Sequence, residues 1–279
     1  MSEFEKLKVV AKYERLKQLR RKRFYGALAI TILAVVLTIG LYKGLDIPTK
    51  IQENIPVQLR IPDSADLFAL FVTSMSALAI LGAVFFSGDA IASEFERKTG
   101  YILFPNPVRR TTLVVGKYIA CFIATAAILV VAYLISAGAS LVFYGQVPGG
   151  MLGSFAIALA LASAIVSMAF AFSAVMKGGM GATIAALLTY MVVFSIISSS
   201  LAYAGYSPWF MPDRAADAIA APYGISFGQA FGGMMGGGQM VGGLMQASED
   251  PTLSFLVLLA YAVVLFQLSI WAAKRREMI

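Results

Sequence analysis

Six long apolar runs, separated by short polar stretches, set the pattern of this chain of 279 residues. They are Phe24 to Tyr42, Leu67 to Ser87, Leu113 to Tyr144, Met151 to Met176, Met180 to Ala204 and Leu253 to Ala273. A helix needs about 20 apolar residues to cross a hydrocarbon core roughly 30 Å thick, so each run is long enough to span. Backbone polar groups in lipid must be satisfied within the segment, and the alternating strands of about 10 residues that build a membrane barrel are not seen. The pattern predicts an all-α integral membrane protein with six transmembrane helices.

The stretches between the runs divide the rest. Residues 1–23 carry Val9, Tyr13 and Leu16 at helical spacing among many basic residues. This predicts an amphipathic helix at the inner membrane interface, with a solvated basic tail as the plainer alternative. The transmembrane unit then covers 24–279. Lys43 to Asp66, broken by Pro48, Pro56 and Pro62, reads as an external connector. Gly145 to Gly150 and Lys177 to Gly179 are tight turns that make hairpins of the third, fourth and fifth runs. A long external segment, about 205–252, precedes the last run; Asp213 to Ala221 reads as a short helix, and Tyr223 to Ser248 holds nine glycines and no charge. Glycine costs about 1 kcal/mol relative to alanine inside a helix, which argues against a seventh crossing and for a re-entrant or surface-lying element.

Composition agrees with this picture. Hydrophobic residues make up 59% of the chain and charged residues 13%, with a mean hydropathy of +0.80, outside the range of soluble domains. With the N-terminus inside, 18 of the 22 Lys and Arg fall on the cytoplasmic side, leaving Lys43, Lys50, Arg60 and Arg214 outside. That bias places both termini in the cytoplasm and the protein in the cell membrane. It also accounts for the net charge of +7 without a nucleic acid partner. The charged residues before Phe24 and the length of the first run argue against a cleaved signal peptide.

Several chemistries lose their footing. There is no histidine, hence no Ser/His/Asp triad and no His-ligated zinc. No phosphate-binding G-x-x-x-x-G-K-[ST] loop occurs, and Gly116-Lys117 is only a fragment of one. Cys121 is a lone cysteine within a predicted span and defines no disulfide framework. The span centres hold hydroxyl residues but no charges, which disfavours a proton- or sodium-coupled carrier. A stand-alone channel or secondary carrier remains the alternative function, and no paired catalytic groups suggest an enzyme. Met211, Met234, Met235, Met240 and Met245 cluster in the external segment; flexible apolar filling accounts for them better than copper(I) binding, and no metal site is expected.

The most distinctive interruption is Asp89 to Lys117. Ile91 and Phe95 fall four apart on one helical face, Glu94 and Lys98 form an i,i+4 pair, Gly100 can end the helix, and Thr111 or Thr112 can cap the third span. Composition alone is equally consistent with an ordinary internal loop. The order of Glu94, Glu96, Arg97, Gly100, Ile102, Leu103, Pro107, Arg109, Gly116 and Lys117, however, resembles the loop between spans two and three in membrane subunits of type 2 ATP-binding-cassette exporters. Tyr101 departs from the threonine common there.

The resemblance implies a permease subunit with no catalytic residue of its own. ATP and Mg would be bound by a separate cytoplasmic ATPase subunit, and a second permease copy, identical or similar, would complete the transporter. It implies a coupling helix at about 89–100 that docks on the ATPase through Asp89, Ile91, Glu94, Phe95, Glu96, Arg97, Lys98 and Gly100, with a lesser contact at Lys177. On this scheme Ile91 and Phe95 pack into the ATPase, residues 1–23 are the connecting helix, and 205–252 form the external gate region. Arg109, Arg110 and Lys117 are expected to do no more than mark the inner boundary.

Overall fold

The computed structural model describes residues 3–49, 64–73, 76–96, 109–224 and 250–275, and among them every regular element is helical. In chain order these are α1 (Glu3–Leu19), α2 (Lys22–Gly44), α3 (Ala65–Thr73), α4 (Ser76–Ser87), α5 (Ala92–Glu96), α6 (Arg110–Tyr144) and α7 (Met151–Val175). They are followed by α8 (Gly179–Tyr203), the short α9 (Pro212–Asp217) and α10 (Pro251–Arg275). Five of them, α2, α6, α7, α8 and α10, are long and apolar enough to cross a membrane. The run Leu67 to Ser87 is covered by α3 and α4 on either side of residues 74 and 75, which lie outside the described residues. So do most of the external connector, the Gly/Met-rich stretch 225–249 and the Pro105-Asn106-Pro107 turn.

The ends of the helices follow local chemistry. Gly145 closes α6 in the left-handed conformation at φ 70°, its N–H donating to Leu141 O at 3.0 Å, a geometry that glycine adopts without a Cβ penalty. Pro212 at the first position of α9 lacks an N–H that a helix start would leave unbonded anyway. The expected threonine cap of α6 is not used. The helix begins at Arg110 with Arg109 extended before it, and the Thr112 hydroxyl instead donates to Glu3 Oε2 at 3.3 Å.

The centre of the bundle is α7. Two thirds (67%) of its most apolar window is buried, against 17% for α8, because Ala, Ser and Gly along α7 let α4, α6, α8 and α10 approach closely. Its buried residues Leu161, Ile165 and Phe170 join Ile80, Val84, Ile128 and Leu258 in one continuous core. Near the other end of the bundle, Tyr42 meets Phe68 edge to face and Phe68 packs at a tilt against Tyr144. Lys43 Nζ donates to Tyr144 OH at 3.0 Å there, which sets the ends of α2 and α6 side by side.

α8 carries a π-helical turn at Thr189–Phe194. Beyond it, α9 folds back against α7, α8 and α10. Ala215 and Ile219 are buried, and Asp213 Oδ1 accepts the Ser198 hydroxyl at 2.7 Å.

Helix length positions everything else. α6 has 35 residues, about 52 Å at 1.5 Å per residue, some 22 Å more than the roughly 30 Å apolar layer requires. Its end at Tyr144 is level with the end of α2, so the surplus lies at its start. The start of α2 confirms this, since Gln18, just before α2, meets Cys121 of α6 with a 3.3 Å bond from its amide Nε2 to Sγ. The first three turns of α6 thus extend past the start of α2 as a base.

Candidate functional site

Around that base the chain assembles a polar platform. Its floor is the segment from Gly88 to Glu96, which carries the one-turn helix α5. A helix start has unbonded N–H groups, and this one is capped from another element. The Ser173 hydroxyl oxygen, in the last turn of α7, accepts the N–H groups of Ile91 and Ala92 at 3.0 and 2.9 Å.

Close backbone approach brings the second internal turn to the same place. A Cβ on Gly88 would collide with Thr183, and one on Gly179 would lie 2.9 Å from Asp89 Cβ. Only glycine fits at either position. Glu96 Oε2 then accepts the Gly179 N–H at 3.1 Å, a carboxylate placed at the positive end of α8.

Charge ties the remaining helices in. Arg23 of α2 donates through Nη1 to Asp89 Oδ2 at 2.8 Å. Lys117 of α6 is only 8% exposed, and its ammonium meets Glu94 Oε1 at 2.5 Å, Glu14 Oε1 of α1 at 3.4 Å and the Ala90 carbonyl at 3.3 Å. α1 itself lies along the base of α6. Gly116 admits it, since a Cβ there would be 2.6 Å from Val10 Cγ1. The buried Gln18 amide spans from Cys121 to the Phe86 carbonyl, which also accepts the Cys121 thiol at 3.1 Å. At the edge of the platform, the hydrogen bond from the Lys6 ammonium keeps the Glu3 carboxyl below the usual range.

A family comparison agrees with this architecture over nearly its whole length: the profile of the ABC-2 family transporter proteins matches residues 8–278. The chain belongs to that family. It is therefore a membrane-embedded permease component of an ABC transporter. No curated protein matches the chain.

Within this ABC-2 permease, the sequence-predicted docking residues divide by direction. Ile91, expected to pack into a partner, is 6% exposed and turned into the chain's own core beside Val114 and Ala273. Asp89 and Glu94 face inward to Arg23 and Lys117, while the expected Glu94–Lys98 pair involves a residue outside those described. Glu96 and Lys177 are exposed. The Phe95 side chain and Arg97, Lys98 and Gly100 lie outside the described residues.

Lys117, expected to do no more than mark the inner boundary, is a buried and multiply bonded side chain of the platform. The Val9, Tyr13 and Leu16 stripe of α1 points away from α6, at 56%, 70% and 39% exposure, while Val10, Glu14 and Gln18 make the inner contact. Sequence reasoning also passed over Glu14, Gln18, Ser173 and Gly179. For Gly179 the signal was a glycine beside a tight internal turn; for Glu14, an acid within a basic helix.

Proposed function

We propose that this chain is the permease subunit of an ATP-driven exporter, working with a second permease copy and a separate cytoplasmic nucleotide-binding subunit that hydrolyses ATP. The observation that carries this reading is the platform: one short segment bonded to α2, α6, α7 and α8 at once, at the foot of a helix that runs unbroken to the far side of the membrane. A push on Gly88 to Glu96 would be delivered to four helices together, as rigid-body switching requires. In this reading the chain has six spans with both termini in the cytoplasm, and α3 and α4 make the second span. It contributes no catalytic residue, and ATP and Mg belong to the partner.

The docking surface in this reading runs from Glu96 through Phe95, Arg97, Lys98 and Gly100, with Lys177 beside it across the Glu96–Gly179 contact. Asp89, Ile91 and Glu94 support it from within. The test is co-purification of the chain with its cognate ABC ATPase and measurement of hydrolysis in nanodiscs. Arg97→Glu together with Lys177→Glu should lower stimulated hydrolysis at least tenfold while membrane insertion is kept. Undiminished stimulation in that double variant would remove the docking assignment, and transport without any ATPase would favour a stand-alone carrier.

A further inference from the structure

Lys117 is buried at greater cost than its surroundings demand. Its ammonium donates to Glu94 and to the Ala90 carbonyl and forms an ion pair with Glu14 at 3.4 Å. Lys17 reaches the same Glu14 oxygen at 3.4 Å. The order Lys17, Glu14, Lys117, Glu94 alternates in sign and sums to zero across three separate elements: α1, α6 and the segment that carries α5.

Buried ion pairs often add no more stability than apolar side chains of the same volume, while they select one arrangement of their partners. A methionine at 117 would fill the base of α6. It could not hold α1 and α5 in a fixed direction.

We infer that Lys117 is a positioning residue that locks Gly88 to Glu96 and α1 to the base of α6, so that the three move as one body. The inference rests on the permease reading for its purpose, since a segment free to slide on α6 would absorb a push without passing it on.

Lys117→Met alone would strand two part-buried carboxylates and can fail to fold. The decisive variant is therefore Lys117→Met/Glu94→Gln/Glu14→Gln, which removes the three charges of the lock and leaves Lys17 and Arg21 beside it. Lys117→Arg is the conservative rescue. A cavity of about 190 Å³ next to the ammonium, bordered by Glu14, Gln18 and Glu94, leaves room for the larger guanidinium.

Each full-length variant is assembled with the cognate ABC ATPase in nanodiscs. The triple variant should retain the ATPase at the wild-type ratio yet lose at least tenfold in stimulated hydrolysis, and Lys117→Arg should stay within threefold of wild type. Wild-type stimulation in the triple variant would overturn the proposal. So would loss of the ATPase from a folded triple variant, because the charges would then shape the docking surface instead of transmitting from it. Hydrogen exchange on the permease alone provides an arm independent of the partner: amides 88–96 should exchange at least tenfold faster in the triple variant, with α7 unchanged. Unaltered protection there overturns the lock, whereas a wild-type chain that stimulates no ABC ATPase overturns only the permease reading.

Discussion

Replacing Ser173 with alanine removes one oxygen and should loosen the whole coupling segment. The hydroxyl is the acceptor for two N–H groups, at 3.0 and 2.9 Å, on Ile91 and Ala92, which are 6% and 0% exposed. Water cannot take its place. A buried donor left without a partner costs about 1–3 kcal/mol, so about 2–4 kcal/mol is expected for the pair after partial relaxation, against about 1 kcal/mol for an ordinary exposed cap. At about 1.4 kcal/mol per factor of ten, that is a roughly 30- to 700-fold larger open population of the segment. Hydrogen–deuterium exchange of the full chain in nanodiscs reads this directly, because local opening sets the exchange rate of such a segment. The faster exchange should be confined to 88–96, since α7 loses no backbone bond. A change below threefold would refute the argument that this hydroxyl, beside the ion pairs, holds the start of α5.

Two further outcomes follow from the same geometry. Gly116→Val should displace α1, because even the first added carbon would lie 2.6 Å from Val10 Cγ1; proteolysis within residues 3–19 should accelerate while α7 and α10 stay resistant. Asp250 caps α10 by accepting the Thr252 hydroxyl and N–H at 2.6 and 3.2 Å, bonds that hold its carboxyl below the usual range. A depressed carboxylate stabilises above its unfolded pKa and loses that contribution as pH falls through the folded value. Protection at the first turn of α10, corrected for the intrinsic pH dependence of amide exchange, should therefore fall in acid, and Asp250→Ala should show the same loss of protection at neutral pH.

How much of this was legible in the sequence depended on whether one helix or several decided the outcome. Apolar run lengths placed the ends of α2, α7, α8 and α10 within two or three residues, because a span is fixed by its own solvation. The run from Leu113 was read as a span from its first residue, yet 32 residues exceed what a bilayer needs, and that surplus was the available sign of a base beyond the apolar layer. Ile91 and Phe95 are spaced for one helical face, but which way Ile91 points is set by α6 and α10, which no local pattern reveals. Ser173 caps a helix 80 residues earlier in the chain, and nothing near either residue announces the pairing.

The π turn in α8 settles a matter of phase. Ala182, Ala186, Tyr190 and Ser198 are all nearly fully buried and recur in multiples of four. In an unbroken α-helix at about 100° per residue, sixteen residues from Ala182 to Ser198 would rotate the two about 160° apart, on opposite sides. The extra residue of a π turn takes back about one step, leaving about 60°. One helix can thus keep a single narrow seam against α7 at its start and α9 at its end. The rest of its circumference, including Met191, Val193 and Ile196, is left to face outward along the full thickness of the membrane.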